Sequence, residues 1–224
     1  MTQMALPLRL ADHAVFESFL DSGNEALVAT LKEVAATGGQ GIWLWGAPAT
    51  GKTHLLQATC DKSGDRSVYV PLRMLVDAGP DILDGLASRE LICIDDIDTV
   101  AGMPDCEQAL FSLCNEVLDA DRSLVVSAAM SSRECPIELP DLQSRLARLA
   151  TFQVNALGDD ERLQALQLRA RHRGLDLPDE TARFLLSRSR RDMASLYGVL
   201  DKLDSEAMRA KRRLTIPFVK EVLG

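Results

Sequence analysis

The chain has 224 residues, 46% of them hydrophobic and 26% charged, with a formal net charge of −8 at pH 7 and a sequence pI near 5.0. This is the composition of a folded globular protein of one or two domains. Its acidity argues against broad nonspecific binding to nucleic acid, which needs Lys and Arg to neutralise phosphates. No apolar run approaches the roughly 18 residues of a membrane span. The five cysteines, an odd number without a C-x-x-C pair, read as reduced thiols of a cytoplasmic protein and not as a disulfide framework or zinc site.

The opening stretch "QMALPL" (3–8) is apolar but short, and Pro7 and Arg9 interrupt it. It lacks a basic leader, so it does not read as a signal peptide. Pro7 fixes its own φ and keeps Leu6 extended. An extended peptide with Leu6 and Leu8 as anchors and Gln3 as a polar contact suits a shallow hydrophobic pocket on a partner. Residues 1–10 are therefore read as a flexible tail.

Behind the tail, "GNEALVATLKEVAATGG" (23–39) has helical spacing and ends on a glycine pair. "GIWLW" (41–45) reads as a buried strand, "KTHLLQATC" (52–60) as a helix, and "SVYVPL" (67–72) and "LICID" (91–95) as strands two and three. "CEQALFSLCNEVLDA" (106–120) is an amphipathic helix, "SLVVSAA" (123–129) a fourth strand, and "TFQV" (151–154) a fifth. Apolar strands separated by helices predict an α/β layer with a mostly parallel central sheet over 11–157. From 158 to 224 every segment is helical in pattern, which predicts a small all-α domain. The basic runs "LRARHRG" (168–174) and "RAKRR" (209–213) read as solvated helix faces, with a local basic patch for nucleic acid as the alternative.

"GAPATGKT" (46–53) matches G-x-x-x-x-G-K-[ST] in full and lies between a predicted strand and a predicted helix. Gly46 and Gly51 let the backbone of Ala47, Pro48, Ala49 and Thr50 curl so that its N–H groups converge on phosphate oxygens. The helix that follows presents its positive end to the same anion. Lys52 adds a charge toward the β/γ-phosphates, and the Thr53 hydroxyl can ligate Mg²⁺. The strand in "LICIDDID" (91–98) delivers Asp95 as the carboxylate beside that ion, and Asp96 sits where a group that polarises the attacking water belongs. Asp98 is expected to point outward into solvent.

A phosphate loop, an acidic strand end and an appended helical unit resemble the AAA+ ATPases, and the details resemble the branch containing the replication initiator DnaA. "FESFLDSGN" (16–24) is similar to the initiator's segment that flanks the adenine, which implies adenine contacts for Phe16 and Asn24. "LPDLQSRLARL" (139–149) resembles the box whose arginine reaches a neighbouring subunit's nucleotide, at Arg145, with Arg148 as the alternative. "RRDMASLY" (190–197) resembles the lid segment that supplies the sensor-2 arginine, at Arg191. A chain that opens with "QMALPL" and carries no initiator-type DNA-reading domain after "LTIPFVKEVLG" is similar to the Hda family of DnaA regulators.

That resemblance implies an ADP-bound (or ATP-bound) regulator with Mg²⁺ that stimulates hydrolysis of ATP held by DnaA, with Arg145 acting in trans. It implies that Gln3, Leu6, Pro7 and Leu8 bind the polymerase sliding clamp, so that DNA is reached mainly through the clamp. AAA+ surfaces imply a homo-dimer or homo-oligomer. Two departures from active AAA+ ATPases stand out: Asp96 is one methylene shorter than the common Glu, and Ala128 and Ala129 stand where a polar sensor-1 residue is expected, with Ser127 or Ser131 as substitutes. Both predict slow turnover by the chain itself. The alternative is an autonomous AAA+ ATPase that acts as a helicase-loader-like remodelling factor.

Overall fold

A computed structural model describes residues 14–188, 192–210 and 212–223. The tail residues Gln3, Leu6, Pro7 and Leu8, and also Arg191, lie outside the described residues. Five strands form one sheet in the order β2-β3-β4-β1-β5. They are β1 (Gly41–Trp45), β2 (Ser67–Pro71), β3 (Leu91–Asp95), β4 (Ser123–Ala128) and β5 (Ala150–Gln153). Every pairing is parallel. Parallel neighbours need crossovers, so helices cover both faces and the strands are apolar on both sides.

One face packs Trp43, Ile92, Ile94, Leu124 and Val126 against α4 (Pro104–Asp119) and α5 (Pro140–Leu146) through Leu110, Leu113 and Leu142. The other packs Ile42, Leu44, Cys93 and Val125 against α1 (Glu25–Thr37) and α2 (Lys52–Ser63) through Leu27, Leu31, Leu55 and Leu56. Alternate residues of each strand thus serve opposite cores. A short helix, α3 (Leu72–Leu75), follows β2. The five cysteines are free and buried.

The register brings the carboxyl ends of the strands to one edge: Trp45 pairs with Ala128, Ile94 with Val126, and Pro71 with Asp95. The loops leaving β1 and β3 emerge side by side there, with the end of β4 between them. Open parallel sheets bind ligands at this edge.

The remaining helices, α6 (Asp159–His172), α7 (Asp179–Arg188), α8 (Met193–Ala210) and α9 (Ile216–Leu223), share a core of their own built on Leu166, Leu185, Leu196, Leu200, Leu203 and Phe218. Two arginines of the 168–174 run do not form the solvated face expected of them. Arg169 is buried with its guanidinium 4.1 Å from the Tyr197 ring centroid, and the Arg173 side chain, 8% exposed, pairs with Asp201 and Asp204 of α8. A guanidinium can be buried when a ring face or carboxylates take its charge. Arg209 and Arg212 of the later run are exposed. Among the described residues no helix is long and apolar enough to cross a membrane.

Candidate nucleotide site

The loop 46–51 turns back sharply between β1 and α2. Ala49 adopts a left-handed conformation (φ 62°), and so does Gly51 (φ 103°). The two glycines are there for different reasons. A Cβ on Gly46 would come 2.8 Å from the Val154 carbonyl oxygen, so the loop is pressed against the chain leaving β5. A Cβ on Gly51 would come 2.7 Å from the Phe19 ring, besides being strained at that φ. Phe19 therefore lies directly on the loop.

Lys52 begins α2 and is buried. Its Nζ donates to the carbonyls of Gly46 (2.7 Å) and Ala47 (3.1 Å), which holds the amine across the mouth of the loop. Burial pushes its pKa down, and the nearby carboxylates of Asp96, Asp95 and Asp98 oppose that shift. A buried ammonium ringed by backbone oxygens, in a loop at a helix N-terminus, is suited to an oxyanion ligand.

Asp95 closes β3 at 4% exposure. Its Oδ2 accepts hydrogen bonds from the Thr53 hydroxyl (2.7 Å) and the Tyr69 hydroxyl (2.8 Å), and its Oδ1 accepts one from the Ser127 hydroxyl. Thr53 and Asp95 are thus brought together as an all-oxygen pair beside the phosphate loop. A hydroxyl and a carboxylate at the end of a buried strand fit a hard divalent cation such as Mg²⁺. Sequence reasoning missed Tyr69. Only the pairing of β2 with β3 brings it to Asp95, and no local motif marks it.

The residues beyond Asp95 depart from expectation. Asp96 is left-handed (φ 57°), and its Oδ2 accepts from Arg73 Nε on α3 at 2.6 Å. Its backbone N–H donates to Ser127 Oγ at 3.0 Å. Ser127 is fully buried between Asp95 and Asp96, while Ser131 bonds Glu134 (2.6 Å). Asp98 does not point into solvent as expected. It is half-buried in the turn after β3, and its Oδ1 is shielded without a hydrogen-bond partner among the described residues. The tight helical turn Ile97–Val100, whose Ile97 and Val100 are buried, carries Asp98 inward with it.

A second cleft adjoins the loop, lined by Phe19, Leu20, Asn24, Thr50, Gly51, His54, Leu157, Met193 and Tyr197. It lies between the sheet-bearing part and α8. Asn24 is buried and ties its walls together: its Oδ1 accepts from the Asn155 N–H at 2.8 Å. Phe16 lies deeper, in the core below Lys32, and the phenylalanine that lines this cleft is Phe19. His54 donates Nε2–H to the Val15 carbonyl at 2.8 Å and meets the Phe19 ring at 5.3 Å. Burial depresses its pKa to about 4, helped by Arg169 and His172 and opposed by the Val15 bond.

Arg145 lies elsewhere, on α5. Its Nη2 contacts both oxygens of Asp119 (3.0 and 3.2 Å) at the end of α4. It lines a polar surface cleft with Phe111, Asn115, Asp141, Ser144 and Arg148. Arg145 is therefore not part of this chain's own phosphate site, and Arg148 shares its cleft.

Residues 159–223 match the family described as "Hda, lid domain". The whole fold is similar to domain III of the replication initiation protein DnaA from Thermotoga maritima, with 21% identity over 96% of this chain and 97% of that one (TM-score 0.79). It is also similar to AMPPCP-bound DnaA from Aquifex aeolicus, with 20% identity over 87% of this chain and 66% of that one (TM-score 0.69). The RuvB Holliday junction branch migration motor of Thermotoga maritima matches more distantly, with 18% identity over 96% of this chain and 72% of that one (TM-score 0.67). At such identities the likeness to solved structures speaks for the fold, and the lid match speaks for residues 159–223. Residues 159–223 thus match an Hda-type lid, and they are carried on a chain whose fold is similar to that of DnaA domain III.

Proposed function

We propose that this chain binds ADP or ATP with Mg²⁺ and acts in the cytoplasm as a regulator of DnaA, stimulating hydrolysis of the ATP that DnaA holds. The observation that carries the reading is the Hda-type lid at 159–223 on a fold of the DnaA type. The nucleotide part is supported by the convergence of Lys52, Thr53 and Asp95 on one loop. AMPPCP binding by the Aquifex aeolicus DnaA agrees with it.

In this reading the loop N–H groups and Lys52 would bind the phosphates, and Thr53 and Asp95 would hold the ion, which would neutralise phosphate charge. The base enters the cleft lined by Phe19, Asn24 and Tyr197, with Arg191 reaching the nucleotide from the lid. Arg145 is presented to a partner's nucleotide. A planar guanidinium that is always charged suits the charge developing on a transferring phosphoryl group. Gln3, Leu6, Pro7 and Leu8 dock on the sliding clamp and bring the chain to DNA.

The test is hydrolysis of ATP already bound to DnaA, followed with this chain, the clamp and DNA each omitted in turn. Acceleration only with all three present supports the reading. Equal rates with and without this chain refute it.

A further inference from the structure

Asp95 is the most heavily bonded carboxylate of the site, and only one of its donors belongs to the phosphate loop. Thr53 reaches it from α2, Tyr69 from β2, and Ser127 from β4. The strands on both sides of β3 thus each send a hydroxyl to the last residue of β3. The positions follow from the register. Tyr69 pairs with Cys93, two residues before Asp95, and its long side chain spans that offset. Ser127 lies one residue beyond the last position at which β4 pairs with β3, and it is fully buried.

The three donors are not equivalent once a cation is present. The Thr53 oxygen would itself ligate the ion through a lone pair while its O–H goes on donating to Asp95. Tyr69 and Ser127 reach the carboxylate from the strands on either side of β3 and are not read as ligands of the ion. A carboxylate at 4% exposure has little water to replace a lost donor.

We propose that Tyr69, with Ser127 opposite it, is a positioning residue that holds the Asp95 carboxylate aimed for the divalent cation, and so sets how strongly Mg²⁺ enhances nucleotide binding. Partners of metal-ligating carboxylates typically alter metal affinity by about 10–100-fold when removed. Tyr69 touches neither phosphate loop nor base cleft in the described structure, so nucleotide binding without the cation is independent of it. The inference rests on the nucleotide reading above.

The experiment measures ADP affinity by titration calorimetry in excess Mg²⁺ and in excess EDTA, for the wild type, Tyr69→Phe and Ser127→Ala. Phenylalanine keeps the ring and removes only the donor, and a thermal melt of each variant checks the fold. The wild type is expected to bind ADP more tightly with Mg²⁺. In Tyr69→Phe that enhancement is expected to fall at least tenfold, with the EDTA affinity within twofold of wild type. Ser127→Ala is expected to shift the ratio the same way. An enhancement within twofold of wild type in both variants overturns the proposal. A wild type whose ADP affinity ignores Mg²⁺ overturns the assignment of Thr53 and Asp95 to the ion. A wild type that binds no ADP in either condition overturns the nucleotide reading itself.

Discussion

The Thr53 hydroxyl lies 2.7 Å from Asp95 Oδ2, across a separation of 42 residues. Neither residue is remarkable alone. Helix α2 starts at the phosphate loop and β3 ends beside it, so the sheet order joins two short motifs into one oxygen-rich corner. Lys52 stands next to them with its charge held by two carbonyls.

From that arrangement, Lys52→Ala should weaken ADP and ATP binding at least tenfold, a loss of about 1.4 kcal/mol or more. The loop keeps its glycines, so the fold should persist. Fluorescent-nucleotide titration beside circular dichroism checks both statements, and unchanged affinity would remove the phosphate-site assignment.

The same corner argues for slow chemistry. Asp96 is engaged by Arg73, Ser127 is engaged by Asp95 and Asp96, and Ala128 offers no polar group. The groups placed to orient water are thus already committed to partners within the chain. The isolated protein should turn over ATP far below about 1 s⁻¹, the low end of common enzyme rates. A steady-state phosphate-release assay that finds 1 s⁻¹ or more would contradict this.

His54 gives a pH dependence. Its pKa falls from 6.5 in the unfolded chain to about 4 when folded, because burial disfavours the charged ring. The folded state is thus stabilised fully above about pH 6.5, and that share is lost as pH drops toward 4. Between pH 7 and pH 5 the loss is on the order of 2 kcal/mol. Urea melts of the wild type should show it, and His54→Gln should have a flatter slope over the same range. Parallel slopes would show that His54 is not buried neutral.

The tail prediction concerns residues outside the described structure. Replacing Leu6 and Leu8 with alanine should cut binding to the sliding clamp at least tenfold, because apolar anchors carry most of such a peptide's affinity. Nucleotide affinity should stay the same. Surface plasmon resonance on immobilised clamp measures the first, and equal binding of wild type and double variant would dismiss the tail as the docking element.

Much of this architecture was legible because its signals are local. Gly46, Gly51, Lys52 and Thr53 lie within eight positions, and each strand announces itself as a continuous apolar run that parallel burial requires. What was illegible depends on neighbours distant in sequence. Tyr69 reads as one more aromatic in a strand until β2 is set beside β3. Asp98 reads as solvent-facing until the turn after β3 draws it inward. Arg169 and Arg173 read as surface charges until Tyr197, Asp201 and Asp204 arrive from α8. Arg145 likewise gains its Asp119 partner only from the packing of α4 on α5.

Arg145 carries the central claim, since it sits away from this chain's own phosphate loop and on a surface cleft. The most direct measurement is single-turnover hydrolysis of radiolabelled ATP prebound to DnaA, on clamp-loaded DNA, with the wild type or Arg145→Ala. An arginine supplied in trans is typically worth about 10³–10⁵ in rate. The account predicts that the wild type accelerates hydrolysis and that Arg145→Ala returns it to the unstimulated rate while binding ADP within twofold of wild type. Full acceleration by Arg145→Ala would contradict it.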